Sequence, residues 1–197
     1  REVLNNCVED PSLITNENFP FMGVISTFLK GKIPCKIARI SFSGELAFEV
    51  YIKSDFANTM MDLLWENAQK YNGCLYGLEA LGALRVEKGH VTGAELDGRV
   101  TIDDAGLGKM ASIKKSYIGS AMRKRGVLSA DNRETLVGFF PTDLKETFNA
   151  GTIVCEKNNI KGQGIGRITS VTHSPELGHW IGIGFVEGGL DKWKNTT

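Results

Sequence analysis

Neither sign of charge predominates in this sequence: 23 lysines and arginines balance 23 aspartates and glutamates. The densest basic clusters, Lys114-Lys115 and Arg123-Lys124-Arg125, are too short to be the electrostatic footprint of a nucleic-acid binder or of a protein that adheres to an anionic membrane. No apolar stretch approaches the roughly 18 residues that a membrane span needs. Cysteine is sparse and scattered: Cys7, Cys35, Cys74 and Cys155 never form a C-x-x-C pair. That excludes zinc-ligand spacing and a small disulfide framework, and points to reduced thiols in a cytoplasmic protein. His90, His173 and His179 fall in no H-x-x-x-H or H-E-x-x-H arrangement, so no metal site is expected. An initiating methionine is also missing. The chain opens at Arg1 within a helical stretch, REVLNNCVED, and stops at KWKNTT, which reads as a piece of a longer protein. The Asn195-Thr196-Thr197 sequon near that end carries no weight without a signal peptide.

What is present reads as α+β. GVISTFL (23–29) and IPCKIARISF (33–42) are β-rich runs separated by Lys30-Gly31-Lys32, which predicts a hairpin. Ser43-Gly44 then reads as a two-residue loop into ELAFEVYI, so residues 23–52 form a three-stranded antiparallel meander. Ser54 suits an N-cap, and Phe56, Met60, Leu64 and Ala68 recur at four-residue spacing until Asn72-Gly73, an amphipathic helix that covers a sheet face. A second helix is expected over 77–88, ending at Gly89. A polar, irregular passage runs to residue 128. Beyond SADNRE the texture changes to short β-rich runs, TLVGFF, GTIVC, GIGRITSVTH and HWIGIGFV, as in a small barrel or sandwich.

Within the meander a two-residue loop at 43–44 places Phe42 opposite Glu45, Ile40 opposite Ala47, Ser41 opposite Leu46 and Arg39 opposite Phe48. Both faces then mix large apolar groups with polar ones, which implies that both are at least partly covered. Glu45 shares its face with Phe42, Ile40, Ala47 and Tyr51, where a carboxylate is costly unless it is paired or hydrogen-bonded. Arg85 is the matching oddity, since it falls between Leu78 and Leu81 near the middle of its helix's apolar stripe. Two accounts are open: a structural pairing of Glu45 with Arg85, or with Arg85 reaching a backbone carbonyl or water, and a pocket that receives a polar ligand. A carboxylate suits a ligand edge with two adjacent N–H donors, such as a 2-amino-4-oxo ring presents.

Other motifs carry less. Gly162-Gln163-Gly164-Ile165-Gly166 lacks the G-x-G-x-x-G spacing and is followed by β-rich sequence where a phosphate-binding helix would begin, so it reads as a glycine-rich bend. His173, Ser174 and His179 come without a G-x-S-x-G elbow. Ser174-Pro175 and Gly178 read as a turn, with Trp180 packed beyond it.

Four ordered motifs, RISFSGELAFE (39–49), YGLEALGALRVEKG (76–89), DDAGLG (103–108) and SPELG (174–178), resemble the folate-binding glycine cleavage T-protein (aminomethyltransferase) family. RVEKGHVTGAELDGRVT (85–101) and SIKKSYIG (112–119) are nearer still to the C-terminal part of the alpha subunit of heterotetrameric sarcosine oxidases. The resemblance implies an antiparallel sheet with covering helices in a partial folate-binding domain at residues 1–128, followed by a truncated all-β barrel at 129–197. It implies a tetrahydrofolate site in which Glu45 binds the 2-amino and N3–H edge of the pterin, with Phe42, Phe48 and Tyr51 as candidate walls, only one of each alternating pair facing the ring, and Arg85 as a support for Glu45 or an anchor for the acidic tail. The family's aspartate near folate N10 belongs to an N-terminal half that this stretch does not reach, so no catalytic residue is assigned and Asp103 and Asp104 are not given that role. Flavin and NAD would belong to absent regions or to other subunits, and the implied partners are the beta, gamma and delta subunits together with the missing N-terminal part. Relatives of the same family that serve as non-catalytic folate-binding scaffolds are the alternative from another functional class.

Overall fold

Residues 24–29 and 33–38 are β-rich runs on either side of a glycine turn, and they fold as that composition suggests. In the computed structural model, which describes residues 1–112, 114–159 and 161–193, β1 (Val24–Leu29) and β2 (Ile33–Ala38) form an antiparallel hairpin. Its turn places Gly31 at φ +82° and Lys32 at φ +59°, a left-handed bend that glycine adopts without strain. β3 (Glu49–Tyr51) adds to β2 in antiparallel register. Ile113 of the SIKKSYIG stretch and the Asn195 sequon lie outside the described residues.

The chain divides into two compact units, Arg1–Leu81 and Gly82–Thr197. In the first, α1 (Glu2–Cys7) and α2 (Ala57–Gln69) cover one face of the three-stranded sheet. Leu4 and Cys7 of α1 meet Leu29, Ile33, Cys35 and Ile37 of the strands, and Ile14 and Phe19 of the connecting segment close the core. Phe56, Met60 and Leu64 pack against it, as the four-residue spacing predicts. Ser54, however, opens a short 3-10 turn instead of capping the helix, and α2 begins at Ala57 without a side-chain cap. The opposite sheet face also departs from expectation. Val24, Phe28 and Tyr51 are exposed there, so only one face is covered.

The division falls within α3 (Leu78–Lys88), which stops at Gly89 with φ +74°. Loops and 3-10 turns then lead to a four-stranded antiparallel sheet of β4 (Glu134–Phe139), β5 (Ile153–Val154), β6 (Gly166–Ser174) and β7 (His179–Glu187), ordered β4-β7-β6-β5. A short α4 (Gly189–Trp193) follows. β7 is nearly all buried from Gly182 to Val186. Gly178 closes the β6–β7 hairpin at φ +72°, its N–H donating to the Ser174 carbonyl, and His173 meets Trp180 edge-on across the strands. Ser174 and Gly178 therefore serve a turn, as the sequence indicates, with His173 and His179 in the strands on either side.

Gly166, last of the glycine triplet, starts β6 where a Cβ would stand 2.2 Å from the Phe185 carbonyl oxygen. Gly166→Ala should therefore force the β6–β7 backbones apart and destabilise the sheet by about 1–3 kcal/mol. An unchanged urea midpoint would refute that.

Candidate functional site

Past Ala38 the second strand follows β1 and leaves β3. Arg39 donates its N–H to the Gly23 carbonyl and accepts from Met22, while its Nη1 donates to the Phe19 carbonyl at 2.5 Å. Phe48 turns inward and stacks on Phe19, with ring centroids 5.9 Å apart. Residues 39–48 are thereby held out of the ladder, although the observed pairs Lys36–Tyr51, Ile37–Val50 and Ala38–Glu49 continue the register expected for 39–48.

Glu45 rides on this loop. The Gly44 N–H donates to Ser41 Oγ at 2.9 Å and the Glu45 N–H to Ser43 Oγ at 3.4 Å, with Gly44 at φ +99°. The Glu45 side chain is exposed, as are Phe42 at 38% and Leu46 at 53%. The dry, shared sheet face expected around Glu45 is not formed, because the strand pairing that would create it ends at Ala38. Its carboxylate is thus a solvated acceptor beside exposed apolar groups.

Phe48 and Tyr51 are in different surroundings. Phe48 is half-buried, with Phe19 stacked on it and the Arg1 guanidinium 5.5 Å from its centroid. Tyr51 is exposed on the uncovered sheet face, and its hydroxyl donates to Glu49. That hydrogen bond holds the phenol above its ordinary pKa.

Arg85 finds its carboxylate in its own unit, ten residues along. Nη1 donates to Glu95 Oε2 at 2.9 Å and to the His90 carbonyl at 3.4 Å, and Nη2 donates to Ser170 Oγ at 2.7 Å. Glu95 is fully buried. It also accepts from the Thr92 N–H at 2.8 Å, Thr92 Oγ1 at 3.2 Å, Thr169 Oγ1 at 2.7 Å and Ser170 Oγ at 2.5 Å. Two consecutive strand residues normally point to opposite faces. A register irregularity between Ile168 and Ser170 re-aims them, so that both hydroxyls reach one carboxylate. Burial pushes the Glu95 carboxyl up, but the hydrogen bonds from Ser170, Thr169 and Thr92 and the charge of Arg85 outweigh it, and the net shift is downward. The structural pairing expected for Arg85 exists, with Glu95 in the place given to Glu45.

Asp103 and Asp104 likewise answer arginines. Arg123 grips Asp103 with Nε to Oδ2 at 2.6 Å and Nη2 to Oδ1 at 2.7 Å, and Arg133 Nε donates to Asp104 Oδ1 at 2.8 Å. These pairs wall an open cleft of about 1000 Å³ that Leu136, Glu187 and Lys192 also line. Glu95 and Asp104 were missed in the sequence, although a signal exists. Thr92-x-x-Glu95 and Thr101-x-x-Asp104 both fit the capping-box pattern. Asp104 Oδ2 accepts from the Thr101 N–H at 2.8 Å, and the Asp104 N–H donates to Thr101 Oγ1 at 3.2 Å. Among the described residues no group of three or more His, Cys, Asp or Glu is placed to hold a metal, and no helix is long and apolar enough to cross a membrane.

Comparison with known proteins adds sequence and fold likeness to this geometry. The family model of the GCVT N-terminal domain matches residues 1–115, and that of the glycine cleavage T-protein C-terminal barrel domain matches residues 135–197. Sarcosine oxidase subunit alpha of Rhizobium meliloti (strain 1021) is 34% identical over 197 residues, covering 98% of this chain and 20% of that protein. An aminomethyltransferase of Corynebacterium jeikeium (strain K411) is 31% identical over 159 residues, covering 78% of this chain and 39% of its own. The crystal structure of glycine cleavage system aminomethyltransferase T from Bartonella henselae matches with a TM-score of 0.67 over 78% of this chain and 42% of that one, at 22% identity, which is a likeness of fold. The chain spans about 20% of the length of its sarcosine oxidase relative.

Proposed function

This chain belongs to the glycine cleavage T-protein family, and from that premise we propose that it supplies part of a tetrahydrofolate site within a sarcosine oxidase alpha subunit. The observation that carries the reading is identity to such a subunit extending over 98% of the chain. In this reading residues 1–128 bear the ligand and residues 129–197 are the barrel module. Tetrahydrofolate accepts the one-carbon unit released by oxidation of sarcosine, as 5,10-methylenetetrahydrofolate, with formaldehyde the product when folate is missing. Glu45 takes the 2-amino and N3–H edge of the pterin in a charge-assisted bidentate contact. The exposed Phe42 and Leu46 beside it offer apolar surface that a ring can cover, which would desolvate the carboxylate and strengthen its bonds. Phe48 backs that surface from the core and Tyr51 flanks it. Redox chemistry, with its flavin and NAD, belongs to other regions or subunits, and the beta, gamma and delta subunits are the partners of a cytoplasmic complex. Likeness to aminomethyltransferases favours as second reading a role in a glycine cleavage T-protein or a dimethylglycine dehydrogenase.

In the assembled enzyme, Glu45→Ala should divert product from 5,10-methylenetetrahydrofolate to formaldehyde by about tenfold or more, the worth of a charge-assisted hydrogen-bond pair, while the rate of amine oxidation stays at wild type. An unchanged product ratio at tetrahydrofolate concentrations below saturation would rule the assignment out.

A further inference from the structure

We propose that residues 109–112 and 114–128 of the second unit form a docking surface for another subunit of the assembly, one that presents carboxylates around an apolar centre. The inference rests on the subunit part of the reading above and is independent of the folate site.

The chain as a whole is neutral, but its charge is unevenly spread. Between Asp104 and Asp131 lie six basic residues and no acidic one. Arg123 is committed internally: it holds both oxygens of Asp103 and donates to the Gly108 carbonyl at 3.1 Å and the Ala111 carbonyl at 3.5 Å. The other five, Lys109, Lys114, Lys115, Lys124 and Arg125, are exposed. None of them forms an ion pair among the described residues. Apolar groups stand among these cations. Ile118 is fully exposed, and Met110, Met122 and Val127 also face solvent, which is the mark of a surface that a partner covers.

The segment is shaped in advance. Turns follow one another from Tyr117 to Leu128, the N–H groups of Ser120, Arg123, Arg125 and Leu128 donating to the carbonyls of Tyr117, Gly119, Met122 and Arg125. Arg123 then fastens these turns to the Gly108–Ala111 stretch that carries Met110. A surface fixed before its partner arrives loses little entropy on binding.

The mixture of groups decides the occupant. Unmatched cations beside apolar side chains suit a protein face with an apolar centre and an acidic rim. A nucleic acid would engage the cations through its phosphates and leave the apolar groups uncovered. A membrane anchor of this composition is a continuous amphipathic helix, whereas the helical pieces here are 3-10 turns of three residues, Met122–Lys124 and Gly126–Leu128.

The test takes the full-length protein in complex with the subunits that co-purify with it. A zero-length carbodiimide, which joins an amine to a carboxylate it touches, should link Lys114, Lys115 or Lys124 to an aspartate or glutamate of another subunit. Lys114→Glu combined with Lys115→Glu should weaken subunit association about tenfold at low salt and less at high salt. Ile118→Ser, at a fully exposed position that leaves the fold as it is, should weaken association about tenfold at any salt. Cross-links confined to this chain, or association unchanged in either variant, would overturn the proposal while leaving the subunit reading intact. Binding to phosphatidylserine vesicles or to single-stranded RNA that the lysine variant abolishes would overturn it in favour of those ligands. A full-length protein with which no subunit co-purifies would overturn both.

Discussion

Replacing Asp104 with alanine should lower the stability of the Gly82–Thr197 unit by about 3–5 kcal/mol, the usual consequence of removing one partner from a buried ion pair. The Asp104 side chain is 4% exposed, against 22% for Arg133, so its loss strands a half-buried guanidinium together with the Thr101 N–H. The residue also works through its backbone, since its carbonyl accepts from Leu136 at 2.8 Å and ties the turn to β4. Its neighbour is the control. Asp103 is 43% exposed beside Arg123, and Asp103→Ala should cost only about 0–1 kcal/mol. Urea denaturation of the two variants checks the contrast, and equal losses would contradict it. The pH dependence has a defined sign. Burial pushes the Asp104 carboxyl up, the hydrogen bonds from Arg133 and Thr101 outweigh it, and the net shift is downward. A depressed folded value contributes stability above the unfolded value of about 3.9 and loses it as pH falls through the folded one. The gap between wild type and Asp104→Asn should therefore narrow below about pH 4, and be constant through neutrality.

The sequence made periodic structure legible and mislocated charge. The β1–β2 hairpin, α3 with its Gly89 stop and the β6–β7 turn follow from local pattern, because short-range backbone preferences decide them. The loop carrying Glu45 did not, although the strand pairs that flank it keep the expected register. Alternation alone cannot say that Arg39 will be drawn to the Phe19 carbonyl, or that Phe48 will choose Phe19 over a cross-strand partner. Both are contacts some 20 to 30 residues apart in the chain. Arg85 was legible as a misplaced cation, but its partner was sought in a strand, whereas Glu95 lies in a turn whose Thr-x-x-Glu pattern looks like ordinary polar loop. Buried carboxylates in this chain sit where a threonine three residues earlier offers a backbone N–H and an arginine from another segment supplies the charge. Glu95 and Asp104 share that recipe, which makes the pattern a usable signal for the next sequence of this kind.

Phe19→Ala should unsettle the Arg1–Leu81 unit by about 3–5 kcal/mol, as for other large aromatic truncations in a core. Phe19 is fully buried and belongs to the cluster formed by α1, β1 and β2, and it is also the floor beneath the loop that carries Glu45. Its ring supports Phe48, its carbonyl receives Arg39, and a side chain at Gly23 would stand 3.2 Å from the ring. The truncation therefore removes packing and the ring that supports Phe48 at one end of the 39–48 segment, while the backbone carbonyl that receives Arg39 at the other end remains. Because Phe19 and Phe48 touch, their truncations should not add. A double-mutant cycle with Phe48→Ala should return a coupling of about 0.5–1.5 kcal/mol, the range for an aromatic pair beyond simple burial. Additive losses would mean that Phe48 is held by something other than Phe19. The same cycle read in tetrahydrofolate affinity separates packing from recognition. If Phe48 acts by backing the Glu45 loop from the core, Phe19→Ala must weaken the ligand as Phe48→Ala does. If Phe48 meets the ligand directly, Phe48→Ala alone must carry the loss.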